Sequence, residues 1–439
     1  MDAQISGQRP ELRLALQTNA QGADAGSCVL TWVAVSADGE CQRGVTERFE
    51  LDAQWLHFGP AYGPFELNRR FVAALTKLHP VRVVVDDLCG ITLELARIAL
   101  AFGVGAVLRL PSAARVAALA RDPVAARWLG GVLRAADALL PPPDGDEAAL
   151  RVRYPDLPPS QPTPPPMPVG AAFKPGPTSS ATGFGYEAYA FGQRDHALLH
   201  TMQEGFAVHF AGCERVVDVA CGTGIFLEVL ARQGIGALGV DRNEMSVRFA
   251  RLLGHTVEEA DVLDWLETHP ASCDGIYCSH FIEHLPIDAA GRLMRAVATA
   301  LQPGGVALFV FPDPESIRSQ LLAFWRDPEH VRYYHAELVA ALASIHGLEV
   351  EFDASRDDPA QRGRALAPFS FFPPPLGELA SRGRGWSRLL ERLGIAPIAA
   401  LRAERQRAQA LEEAVRQLWA VNQTWAWDSN AVLRLRKPG

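Results

Sequence analysis

Residues 215–234, RVVDVACGTGIFLEVLARQG, constrain the fold more than any other stretch of the chain. An apolar run predicts a buried strand, Gly222-Thr223-Gly224 a tight turn, and Ile225 the start of a helix. Lacking Cβ atoms, Gly222 and Gly224 let the backbone turn sharply and approach a ligand at the strand's carboxyl edge, space that a bulkier residue would fill. A lone G-x-G also serves dinucleotide sites and ordinary turns, so the next strand decides. GALGVDRN (236–243) ends in Asp241, about 20 residues beyond the glycines, where a carboxylate accepts hydrogen bonds from ribose hydroxyls. HTVEEADVLDWL (255–266) places Asp261 at a third strand end, and CDGIYCSHFIEHL (273–285) places Ser279 and His280 at a fourth. LQPGGVALFVFPDPE (301–315) supplies the next turn and strand. The dinucleotide fingerprint asks for a third glycine where this chain has Leu227, which disfavours a dehydrogenase.

The 439 residues allow two α/β domains, each with its own core. The clearest break is the proline-rich stretch 144–180, read as a semi-rigid linker because proline removes backbone donors and favours extended chain. A formal charge of −8 disfavours general nucleic-acid binding. Seven scattered cysteines without C-x-x-C pairs suggest neither a disulfide framework nor a Cys-rich zinc site, which fits a reducing cytoplasm. No stretch approaches the roughly 18 apolar residues of a membrane span, so contact with an inner membrane is expected to be peripheral at most.

Ahead of the linker, residues 81–88, 91–102 and 104–110 read as strand, helix and strand, a βαβ unit. A helical pair between Ala113 and Ala136 and a short strand in ALLPPP follow; CVLTWVAVSA (28–37) and FELNRRFVAALTKL (65–78) add an earlier strand and helix. Residues 1–143 are thus expected to form a smaller Rossmann-like α/β domain. The run HPVRVVVDDLCGITLELARIALAFGVGAVLRL resembles the acceptor-side half of glycosyltransferases built from two Rossmann-like halves. That likeness implies a saccharide-binding or scaffolding role, the alternative being a generic domain without activity.

The strand-end series from 215 to 315 resembles the class I S-adenosylmethionine-dependent methyltransferases. The resemblance implies a seven-stranded Rossmann-like domain over residues 181–355, closed by a strand in 429–439 that pairs with LEVEF (348–352). It implies S-adenosyl-L-methionine as cofactor, with Asp218, Ala220 and the Gly222 to Gly224 loop at its methionine part. Asp241 and Arg242 are then expected at the ribose, Asp261 and Val262 at the adenine, and Ser279 beside them. Ala220 stands where many members have glycine. Asp261 has a second reading as a helix cap.

Methyl transfer mainly requires alignment in a dry pocket, and a hydroxyl acceptor gains from a nearby base. His280, Glu283 and His284 share one face if FIEHL opens a helix. His284, His280 and His330 are the candidate catalytic residues. H-x-x-E-H also spells a zinc-protease motif, but here it follows a nucleotide-fold strand, and no metal site is assigned; a divalent ion is not favoured. The run Trp325 to Arg332 and Asp313-Pro314-Glu315-Ser316 resemble methyltransferases of bacterial surface-glycan synthesis, including the O-antigen chain-terminating type. That likeness makes Trp325, Arg326, Arg332 and Tyr333 the expected acceptor-binding residues and a glycan or its precursor the expected substrate. The relatives' arginine-glycine pair is missing near Arg194. The alternatives are O-methylation of a small metabolite and a noncatalytic scaffold.

Residues 356–428 read as a helical insertion. Leu401, Ala408, Leu411, Val415 and Leu418 form a short seam interrupted by Glu404, expected to dock on its own domain in preference to dimerisation or partner recruitment.

Overall fold

The computed structural model describes residues 10–18, 27–35, 47–58, 62–119, 122–166, 194–316, 319, 324–354, 393, 404–416 and 430–439. Cys41 and the expected insertion apart from 393 and 404–416, Leu401 and Leu418 included, lie outside these, as do residues 167–193.

The front sheet has the order β3-β2-β1-β4-β5-β6, with β1 Glu11–Thr18, β2 Ser27–Val35, β3 Glu47–Asp52, β4 Arg82–Val85, β5 Gly105–Arg109 and β6 Ala138–Leu140. Strands β1, β4, β5 and β6 run parallel, whereas β1, β2 and β3 form an antiparallel meander. The expected elements from 65 to 140 are present, as helices α1 Phe65–Leu78, α2 Gly90–Ala101, α3 Ala113–Ala118 and α4 Pro123–Ala135. The meander departs from the mostly parallel half of a two-Rossmann glycosyltransferase, so the likeness stops at the βαβ unit.

The stretch expected as a linker begins as part of this unit. Helix α5 Ala148–Arg153 buries Leu150, and Tyr154 and Leu157 are buried beside it. The Tyr154 hydroxyl donates to the Ala126 carbonyl at 2.5 Å, and Ser160 bridges to Leu139 of β6. Apolar residues between the prolines gave these 20 or so residues enough to bury; composition alone hid it.

The second sheet has the order β12-β13-β11-β10-β7-β8-β9. Its strands are β7 Val216–Val219, β8 Ala237–Asp241, β9 Val257–Glu259, β10 Cys273–Ser279, β11 Leu301–Pro312, β12 Glu349–Asp353 and β13 Asn430–Arg436. The last strand inserts antiparallel between β11 and β12, pairing with LEVEF as expected. Every residue of β7 is buried, as befits a central parallel strand covered on both faces. Helices α6 His196–Glu204, α7 Ile225–Arg232, α8 Glu244–Leu252, α9 Val262–Thr268, α10 Ile287–Ala300 and α11 Ala336–Ile345 flank the sheet.

The two sheets are not separately cored. One cluster of buried side chains runs from Leu12, Phe71 and Trp128 to Ile225, Phe249 and Leu253. Helix α2 is buried on nearly every side, Glu94 and Arg97 included, because it is packed between the front sheet and α8. The 404–416 segment is helical (α12); of the expected seam, Leu411 is 63% and Val415 56% exposed, while Ala414 is the buried residue. No helix among the described residues is long and apolar enough to cross a membrane.

Candidate active site

A cavity of about 530 Å³ opens at the carboxyl ends of β7, β8 and β10, the edge where α/β sheets take ligands. The chain turns off β7 through Ala220 and Gly222, both at positive φ (56° and 53°), and enters α7 from Gly224 at φ 80°. A Cβ on Gly222 would meet no protein atom within 4 Å. On Gly224 it would sit 2.9 Å from the Ala250 Cβ, so this glycine is required by the helix packed behind it. Ala220 adopts the conformation that favours glycine, which accounts for the glycine its relatives place there.

Two buried carboxylates define one end. Asp241 accepts from the Gly222 amide and from the Asn243 amide, each at 2.8 Å, tying the loop to β8. Its pKa is raised by burial, against the lowering pull of those two bonds. Asp218 has no hydrogen bond among the described residues; burial and then the charge of Asp241 push its pKa well up. Two such acids facing one cavity call for a ligand that brings hydroxyl donors and positive charge. Arg242, Val262 and Ser279 line the same cavity, as does Asp261. Asp261 also caps α9, accepting from Leu263 and Asp264 at 2.9 and 3.2 Å, so the capping reading holds whatever else it does.

The other end is imidazole-rich: His280, His284 and His330 all line the wall, with Phe281, Leu285 and Phe324 between them. FIEHL does not open an α-helix. Residues Ile282–His284 make one 3-10 turn, and Pro286 follows, so His280 reaches the cavity through its own strained backbone at φ 51°. His280 Nδ1 lies 3.1 Å from Oε1 of the buried Glu283. A carboxylate only accepts, so Nδ1 carries the proton and Nε2 is left as the acceptor. Glu283 is held ionised: burial would raise its pKa, but the hydrogen bond from His280 and the nearby histidines bring it below the ordinary value. Burial lowers the pKa of His284. His330 arrives from 46 residues away because the amides of Val331 and Arg332 donate to the Glu283 carbonyl at 2.8 and 3.2 Å. The Tyr334 hydroxyl anchors the same strap on the Leu285 carbonyl at 2.7 Å. The strap begins at Asp327, whose carboxylate accepts from the Glu329 amide at 3.0 Å.

The expected acceptor residues fare differently. Trp325 is 69% exposed and lies outside the cavity wall. Tyr333 stacks behind Phe324 at 3.6 Å and donates to the Ser319 carbonyl, and Arg332 lies over Tyr334 at 4.9 Å. Arg326 ends the 3-10 turn Phe324–Arg326, and its side chain is outside those described. Of the turn Phe324–Arg326, it is the apolar Phe324 that lines the cavity. Phe324, Phe281 and Glu329 were missed, since nothing in local spacing separates a wall residue from its neighbours. Arg194 does reach the wall and lies 3.9 Å from Asp327. Glu283, His284 and His330, and also His284, Asp327 and Glu329, bring ligand atoms within 4.8 Å of one another, enough to hold a divalent ion.

Residues 185–351 match the family described as a methyltransferase domain. Among curated proteins, the ubiquinone biosynthesis O-methyltransferase of Idiomarina loihiensis is 38% identical over 104 residues, covering 22% of this chain and 41% of that protein. The enzyme of the same name from Xylella fastidiosa is 36% identical over 117 residues, covering 25% of this chain and 46% of that protein. A solved S-adenosylmethionine-dependent methyltransferase from Archaeoglobus fulgidus covers 56% of this chain and 96% of its own, at 22% identity and a TM-score of 0.38. The chain thus spans less than half the length of these curated relatives, and their names do not carry the expected surface-glycan likeness. Residues 185–351 thus match a methyltransferase domain, built on the seven-stranded sheet whose antiparallel β13 lies between β11 and β12.

Proposed function

We propose that the chain transfers a methyl group from S-adenosylmethionine to a hydroxyl oxygen of a small ring-bearing metabolite. The observation that carries this reading is the polarity of one cavity: paired acids at one end, imidazoles and aromatic walls at the other. The cofactor fits the first end, because its ammonium suits the unpaired Asp218 carboxylate and its ribose hydroxyls suit Asp241. The Gly222 to Gly224 loop leaves backbone room for its methionine part, and Asp261 and Val262 stand where the adenine edge would lie. Bound there, the cofactor supplies an electrophilic methyl group.

The protein's own contribution is positioning and proton removal. Phe281, Leu285 and Phe324 exclude water from the acceptor end, and His280 Nε2 accepts the hydroxyl proton while Glu283 holds the ring. His284, kept neutral by burial, and His330 orient the acceptor oxygen. The small-metabolite reading is supported by the aromatic walls and by the ubiquinone-biosynthesis relatives. A sugar acceptor remains the second reading, favoured by the exposed Trp325 ring 4.9 Å from Phe324 at the rim. Transfer of labelled methyl to catechols but not to oligosaccharides is expected; label in the saccharides would favour the second reading. Label in neither, with cofactor binding intact, would leave a noncatalytic binder.

Burial holds the Asp218 carboxyl in its protonated form further up the pH scale than an ordinary aspartate. A cationic ligand favours the ionised form, so binding to the protonated carboxyl releases a proton, and affinity rises with pH through the free protein's Asp218 pKa. Titration calorimetry in buffers of different ionisation enthalpy is expected to show that release, and Asp218→Asn to abolish it. A buffer-independent enthalpy would contradict the pairing.

A further inference from the structure

Helix α7 begins at the cofactor loop, and its buried acid faces away from the cavity. Glu228 is 0% exposed and sits one turn into the helix, its amide donating to the Gly224 carbonyl at 3.0 Å. Its Oε2 accepts from the indole N–H of Trp128 at 3.1 Å, and its Oε1 from Arg232 at 2.9 Å. His255 Nε2 lies 3.4 Å from the same Oε2, and the adjacent ring carbon Cδ2 is 3.3 Å from where a Cβ on Gly224 would stand. Trp128 comes from α4 of the front unit. Arg97 of α2, also buried, lies over the Trp128 ring at 5.8 Å and over Phe249 of α8 at 5.3 Å, with its Nε and Nη1 unbonded. The two units touch backbone to backbone here: a Cβ on Gly131 of α4 would fall 2.4 Å from the Leu252 carbonyl oxygen.

Burying a carboxylate costs several kcal/mol unless its partners are well placed, so the position of α7 depends on where the front unit presents the indole. The chemistry of methyl transfer makes no use of Glu228. We propose that the front unit acts as the backing of the cofactor loop, with Trp128 and Glu228 as positioning residues that set cofactor affinity through Gly224 and His255. The front unit then needs no activity of its own to matter to the reaction. This inference rests on the cofactor reading above.

The test is calorimetric titration of the full chain with S-adenosylmethionine. Trp128→Phe keeps an aromatic ring but removes the donor, and is expected to raise Kd by at least about fivefold, the lower end of the usual coupling between sites. The acceptor KM and kcat at saturating cofactor should stay within about twofold, below that range. Leu14→Val, in β1 of the front sheet, serves as a control for general destabilisation and should leave Kd unchanged. A smaller rise for Trp128→Phe, or an equal rise for Leu14→Val, overturns the proposal. Should Trp128→Phe fail to fold, Glu228→Gln removes the charge from the other side of the contact, with the same threshold. Absence of binding by the unaltered chain would instead refute the cofactor reading itself.

Discussion

Replacing Asp241 by alanine is expected to raise the Kd for S-adenosylmethionine by at least about a hundredfold. The carboxylate has two tasks. Each oxygen takes one backbone amide, from Gly222 or Asn243, and keeps a second lone pair toward the cavity. Alanine removes two charged hydrogen bonds to the ribose, worth about 1.5–3 kcal/mol each, and also releases the loop. Three kcal/mol alone is roughly 150-fold in affinity. Asp241→Asn keeps one acceptor and should fall between the two. Calorimetric titration reads both, and unchanged affinity in the alanine variant would remove Asp241 from the ribose.

Loss of the His280 imidazole is expected to be the largest effect on turnover, with His280→Ala lowering kcat by about 10²- to 10⁴-fold, the usual contribution of a positioned base. The substitution is clean in one respect: alanine keeps the Cβ, so the strain at φ 51° is unchanged and only the ring is lost. Cofactor Kd should stay within about threefold, because the imidazole is assigned to the acceptor hydroxyl and the ribose and ammonium to Asp241 and Asp218. Glu283→Gln should show a smaller fall in kcat, since the ring remains but loses the carboxylate that fixes its tautomer. Equal falls in kcat and in cofactor affinity would place His280 at the cofactor instead.

How far the sequence announced this differs along the chain. The second sheet was legible because each strand is a short apolar run ending in a polar residue, a pattern set by carboxyl-edge ligand sites. The distant closing strand was legible only through family likeness, since nothing local in NAVLRLRK says that it inserts beside β11. In the front unit, β1 and β3 were missed: ERFELD alternates polar and apolar on an edge, and ELRLALQT sits between undistinguished flanks. The shared core was readable in principle. Helix α2 has only Thr92, Glu94 and Arg97 among apolar residues, too few for a solvent face, which in a small domain leaves one side without cover unless another unit supplies it.

At the site, residues attached to strand ends follow from motif spacing, whereas of the strap residues that line the cavity His330 was expected and Glu329 was not. Asp218, Gly222, Gly224 and Asp241 are fixed by local backbone, so motif spacing reaches them. His330 enters because amides 331 and 332 bond to the Glu283 carbonyl, a contact across 48 residues that no window shows. The same strap turns Phe324 in and leaves Trp325 out, reversing the order of importance that aromatic and charged letters suggested.

The most direct measurement of the central claim is a crystal structure of the chain with S-adenosylhomocysteine at saturating concentration. The expected result is density across the Gly222 to Gly224 turn, with both ribose hydroxyls on Asp241 and the amino group on Asp218. Density elsewhere, or side chains of the chain itself filling that edge, would contradict it.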